Sequence, residues 1–175
     1  MMKDSLVVVL AGALALVVMS AQAAPAPDDA QIAAIVVTAN QVDIDAGKLA
    51  GDKASSEEVR AFAQQMVTDH TAVNAQATKL VTRLKVTPRA NATSESLRDG
   101  GDQNLAALRK LGGPQFDRAY VDHEVVYHEQ VIEALDTALI PNASNAELKN
   151  LLVQVRPAFV AHLEHARHLQ AALKR

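Results

Sequence analysis

The chain has 175 residues, a net charge of −3 and no cysteine. The lack of thiols excludes disulfides, thiolate catalysis, cysteine-bound zinc and a cysteine-linked lipid anchor. Its 17 basic residues are dispersed among 20 acidic ones, with two Tyr, three Phe and no Trp, a composition that argues against nucleic acid as a partner.

Lys3 and Asp4 precede an apolar run from Leu6 to Met19, and Ala21-Gln22-Ala23 follows. The run falls short of the ~20 residues of a membrane helix, and a small-residue A-x-A site after it marks a cleavable signal peptide over residues 1–23. The expectation is an exported protein, periplasmic or secreted, whose residues 24–175 form one domain with no membrane span in the mature form.

Asp28 or Asp29 is placed to cap a first helix running to about Ala50, with Gly51 as its stop. Ser55 and Glu58 form a capping box that opens a second helix, ending near Val86 because Thr87 precedes Pro88. Residues 89–113 carry Asn, Thr, Ser, Asp and Gly, with a brief apolar rhythm at Leu105, Leu108 and Leu111; they read as a long connection with one short helix. Pro114 suits the first turn of a third helix that Pro141 ends after about Ile140. Ser144 and Glu147 form a second capping box, opening a fourth helix that reaches almost to Arg175. No segment shows strand alternation, so the fold class is all-α, an antiparallel four-helix bundle.

Spacings of three and four define the core seams. Helix two gives Val59, Phe62, Met66, His70, Val73, Ala77, Leu80 and Leu84; helix three gives Val121, Val125, His128, Ile132, Leu135 and Leu139, with Glu124 on a neighbouring stripe. Helix four gives Leu148, Leu152, Val155, Phe159, His162, Ala166, Leu169 and Leu173. In helix one the stripe Ile32, Val36, Ala39, Asp43, Ala46, Ala50 competes with one through Val42 and Leu49. Measured along each helix at 1.5 Å per residue, Asp43, His70, His128 and His162 fall within one or two turns of mid-height, which brings them to one layer.

Polar groups in an apolar layer must satisfy one another or a ligand. Two readings stay open. One is a histidine–carboxylate network that fixes helix register. The other is a single first-row transition metal ion held by His70, His128 and His162 with Asp43 or Glu124. Asp69 reads first as an exposed acid and second as a group orienting a neighbouring histidine. His165 lies near enough in sequence to join His162, His123 and His168 read as surface, and the hydroxyls of Tyr120 and Tyr127 read as reaching the polar layer. Pro157 falls inside helix four and frees the carbonyl of Val153.

The segments Asp43-Ile44-Asp45-Ala46-Gly47-Lys48-Leu49-Ala50 and Val59-Arg60-Ala61-Phe62-Ala63-Gln64-Gln65-Met66-Val67-Thr68-Asp69-His70, with Phe116-Asp117-Arg118-Ala119-Tyr120-Val121, His128, Pro157 and His162-Leu163, resemble the exported bacterial domain of unknown function 4142. The resemblance spans nearly the whole mature chain. It implies a ferritin-like four-helix bundle and no established activity; members are often labelled outer membrane proteins, a label for which this sequence offers neither β-barrel alternation nor a lipidation cysteine. It departs from the family where Asp43 replaces a usual Glu and where Tyr127 replaces an acid before His128. A ferritin-like label also suggests di-iron chemistry, but no Glu here is followed by His three positions later, as the paired Glu-x-x-His signature requires. The expected function is an exported metal-binding or stress-related module. A metal-free structural or protein-interaction module is the alternative, and a di-iron oxidase comes third. No particular protein partner is specified.

Overall fold

The computed structural model describes residues 25–174; the expected signal peptide, residues 1–23, lies outside them. The fold is all-α, with no strand among the described residues. Five helices carry it: α1 Asp29–Lys53, α2 Glu57–Leu84, α3 Ala92–Leu108, α4 Gly113–Ala134 and α5 Ala146–Leu173. α4 is prolonged by a π-helical turn, Leu135–Leu139, and a last helical turn, Ile140–Asn142. No described helix is long and apolar enough to cross a membrane.

Several boundaries differ from the sequence expectation for identifiable reasons. Asp28 caps α1 in a capping box with Gln31, but the helix runs through Gly51 to Lys53, because one glycine costs about 1 kcal/mol in a helix interior and does not by itself stop one. Ser56, not Ser55, is the N-cap of α2. Ser55 is instead taken by Asp117, a buried carboxylate at the fifth position of α4 that accepts from the amides of Ser55 and Ser56 at 2.9 Å each and from the Ser55 hydroxyl. The same device recurs at the opposite hairpin. Asn145, not Ser144, caps α5, while Asp29 of α1 accepts from the Ser144 hydroxyl and from the amides of Ser144 and Asn145 at 2.6–3.0 Å. The α1–α2 and α4–α5 turns are thus each pinned by an acid from near the start of a helix in the other pair.

The connection read as mostly irregular is largely α3, a helix of 17 residues capped by Asn91. It packs along α1, with Gly101 so close that a Cβ there would lie 2.8 Å from Val42 Cγ2. This contact explains why α1 shows two apolar stripes. The stripe through Ile32, Val36, Ala39, Asp43, Ala46 and Ala50 is buried in the core, and the half-buried Val42 belongs to the side covered by α3. Pro141 does not end α4 at Ile140. A proline ring would collide with the carbonyl four residues back, and here the chain takes a wider π turn, in which the Ile140 amide donates to the Leu135 carbonyl, before continuing to Asn142. Pro157 sits inside α5 on its exposed side, so the carbonyl it frees belongs to the solvent-facing Val153.

The core divides into two apolar clusters. One joins Ala46 and Ala50 of α1, Val59, Phe62 and Met66 of α2, Phe116, Tyr120 and Val121 of α4, and Ala166 and Leu169 of α5. The other joins Ile32 and Val36, Val73 and Leu80, Leu135 and Leu139 after α4, and Leu148, Leu152 and Phe159. On α1, α2, α4 and α5 alike, the polar seam residue falls between the two clusters: Asp43, His70, His128 and His162.

Candidate metal centre

Asp43, His70, Glu124, His128 and His162 are all buried. The three imidazoles form a nearly equilateral group, with ring centroids 5.7 Å apart for His70 and His128, 5.2 Å for His70 and His162, and 5.5 Å for His128 and His162. One potential ligand atom from each lies within 4.8 Å of the other two, and the same holds for Asp43, Glu124 and His128. Asp43 Oδ2 is 3.0 Å from His70 Nε2 and 3.5 Å from His128 Nε2. Phe159 forms an apolar wall, its ring centroid 5.1 Å from that of His70.

One nitrogen of each ring is tied to an acceptor, which fixes its tautomer. The Val36 carbonyl accepts from Asn40 Nδ2 at 2.8 Å, so Asn40 Oδ1 faces His70 and takes the Nδ1 proton at 2.7 Å. His128 Nδ1 donates to the Glu124 carbonyl at 3.0 Å. His162 Nε2 donates to Asp69 Oδ2 at 2.9 Å. The remaining atoms, His70 Nε2, His128 Nε2, His162 Nδ1, both Asp43 oxygens and Glu124 Oε2, are buried without a hydrogen-bond partner among the described residues. Asp43 and His70 are close, yet not aligned as a hydrogen bond. A buried unsatisfied polar atom costs about 1–3 kcal/mol, so these atoms must be met by one another or by a ligand.

Burial decides the charge states. It pushes His128 down to about 4, against the pull of Asp43, so this ring is neutral near pH 7. Burial also lowers His162, partly opposed by its hydrogen bond to Asp69. Glu124 is raised well above the usual carboxylate range by burial and then by the charge of Asp43, so it keeps its proton. Asp43 meets the same burial, but the facing imidazoles, His70 first and then His128 and His162, hold it below its ordinary value.

The polar layer therefore brings together Asp43, His70, Glu124, His128 and His162, and two groups that the sequence weights differently or does not mark. Asp69, read first as an exposed acid, is the acceptor that orients His162. Asn40 was not anticipated; it lies on α1 three residues before Asp43, and an amide so near the polar seam was the available signal. His165 does not join the group: it bonds Gln65 at 3.2 Å and packs on Phe62. His123, read as surface, is half-buried and stacks on Tyr127, its Nδ1 enclosed. The Tyr127 hydroxyl donates to the Ala39 carbonyl at 2.8 Å, whereas that of Tyr120 is buried without a partner among the described residues.

A helical chain with a buried layer of three histidines and two acids is the class that fold and geometry define. The family model described as Domain of unknown function (DUF4142) matches residues 16–169, and the chain belongs to that family. No curated protein and no solved structure is found to match it.

Proposed function

We propose that residues 24–175 form a single ferritin-like, antiparallel four-helix bundle that is exported and binds one first-row transition metal ion in its core. The ligands are His70 Nε2, His128 Nε2, His162 Nδ1 and an oxygen of Asp43. The observation that carries this reading is three buried imidazoles, each with one nitrogen hydrogen-bonded to an acceptor and the other without a partner among the described residues, close enough to offer one ligand atom apiece within 4.8 Å of one another, with Asp43 Oδ2 3.0 Å from His70 Nε2 and 3.5 Å from His128 Nε2. Metal-ligating histidines characteristically donate their other N–H to such an acceptor. With metal–nitrogen distances of about 2.0–2.1 Å, three imidazoles at tetrahedral angles have centroids roughly 5.2 Å apart, close to the spacing here. Neutral imidazole with one carboxylate suits borderline divalent ions.

The bundle reading is supported by the way the clusters pair helix ends. The end of α1 meets the start of α2 and α4 and the end of α5, an up-down-down-up order in which α3 carries the crossover. The export reading rests on the apolar run and A-x-A site of residues 1–23.

A metal-free register network needs a proton on His70 Nε2 facing Asp43. That proton would still leave His128 Nε2 and His162 Nδ1 as enclosed lone pairs, so the network accounts for less of the layer. A di-iron centre fits poorly. His128 has one free nitrogen and belongs to both candidate ligand groups, so two ions cannot use it at once, and the layer supplies two acids where di-iron carboxylate bundles use four. Titrating the metal-free protein with Co2+ tests the reading. Visible absorption should saturate at one equivalent and be lost in His70→Ala and in His162→Ala; saturation at two equivalents, or an unchanged spectrum in both variants, would refute it.

A further inference from the structure

Beside the histidine layer, on the side of the second apolar cluster, α1, α3, α4 with its π turn, and α5 line a partly open apolar cleft of about 220 Å3, with the exposed Thr93 and Gln130 at its rim. Ile35, Leu97, Leu135, Leu139, Leu152 and Phe159 are among its walls. Of its polar residues, Asn40 is committed to Val36 and His70, and the Tyr127 hydroxyl to Ala39. Thr93 and Gln130 are left as the polar side chains able to meet a ligand. Protein interiors are packed to the density of organic crystals, so an opening of this size forfeits dispersion contacts along its whole lining. Part of it is built by the π turn, a feature frequent at functional sites, whose first and last residues, Leu135 and Leu139, both face the opening.

We infer that this cleft binds a small uncharged apolar molecule. An apolar cavity of about 150 Å3 takes up benzene; this cleft, larger, almost wholly apolar in its lining and open at one side, has room for a one- or two-ring aromatic or a short alkyl chain. The bound molecule would touch Phe159 and Tyr127, whose rings lie 5.1 Å from that of His70 and 6.1 Å from that of His128. It would sit one side chain away from the histidine layer. Nothing in this inference requires an ion to be present.

Benzene is the probe, added to the purified full chain with isotope-labelled Ile, Leu and Val methyls. The expected result is saturable shifts confined to methyls such as those of Ile35, Leu139, Leu152 and Val155, with Tm raised by about 3–6 °C at ten times Kd. Ala134→Phe, which fills the cleft from its wall, should abolish the shifts, and the milder Ala134→Leu should weaken binding at least several-fold if the larger variant does not fold. Methyls unmoved at saturating benzene, shifts scattered over the surface, or equal shifts in both variants would overturn the inference. The titration is repeated on chelator-treated protein and on His70→Ala, where binding should be retained, so a failed metal centre and a failed cleft give different results.

Discussion

Asn40 accepts the Nδ1 proton of His70 across a buried 2.7 Å contact, and so decides which nitrogen of that ring faces the centre of the molecule. Asn40→Leu keeps the volume and removes the acceptor. Metal affinity should fall about 10–100-fold, the usual effect of losing an orienting partner behind a ligand. Competition against a chelator of known affinity measures it, and an unchanged affinity would detach Asn40 from the site.

Asp69 orients His162 from a partly exposed position, its side chain 41% accessible. Asp69→Asn retains a carbonyl oxygen that can accept the Nε2 proton, whereas Asp69→Ala does not. The expected order of metal affinity is wild type, then Asn, then Ala, with a stability change under about 1 kcal/mol because solvent screens the pair. Equal affinities in the three proteins would return Asp69 to a surface role.

In metal-free protein the buried layer should give opposing pH dependences. His128 has a folded pKa of about 4, below its ordinary 6.5, so the unfolded chain binds more protons between those values. Its contribution is full above pH 6.5 and is lost as pH falls toward 4, by on the order of 3 kcal/mol. His162 acts in the same direction. Glu124 is raised, so it stabilises the fold below about pH 4.5 and loses that contribution as pH rises through its folded value. Glu124→Gln should abolish the loss at higher pH and steepen the acid side. Urea midpoints from pH 4 to 9 with chelator present measure both effects, and superimposable profiles would contradict the assignment.

Much of this layer was legible because a lone histidine interrupts each apolar seam of α2, α4 and α5 at the same height. Asp43 was harder to place, since α1 is covered on two sides and two stripes overlap. The caps were misread by one residue at Ser55 and Ser144, where the deciding partners, Asp117 and Asp29, are 62 and 115 positions away. No local pattern encodes such contacts. α3 was undervalued because Gly100 and Gly101 weaken its helical signal, although Gly101 is what allows its close approach to α1.

Gly101→Ala tests that approach. Helix propensity alone would favour Ala by about 1 kcal/mol, but its Cβ would press on the stiff Val42 at 2.8–2.9 Å, and overpacking costs about 1–3 kcal/mol. The single variant should be neutral to destabilised by up to 2 kcal/mol, and Val42→Ala should make the same change stabilising. A double-mutant cycle by denaturant unfolding checks it; additive effects would mean that the helices separate without strain.

The most direct measurement is the metal content of untagged protein isolated without added metal, in wild type and in His128→Leu. One ion per chain is expected in the wild type and less than one tenth in the variant. Substoichiometric metal that is equal in both proteins, together with a higher melting temperature for His128→Leu, would contradict the metal centre and leave the histidines as a polar register layer.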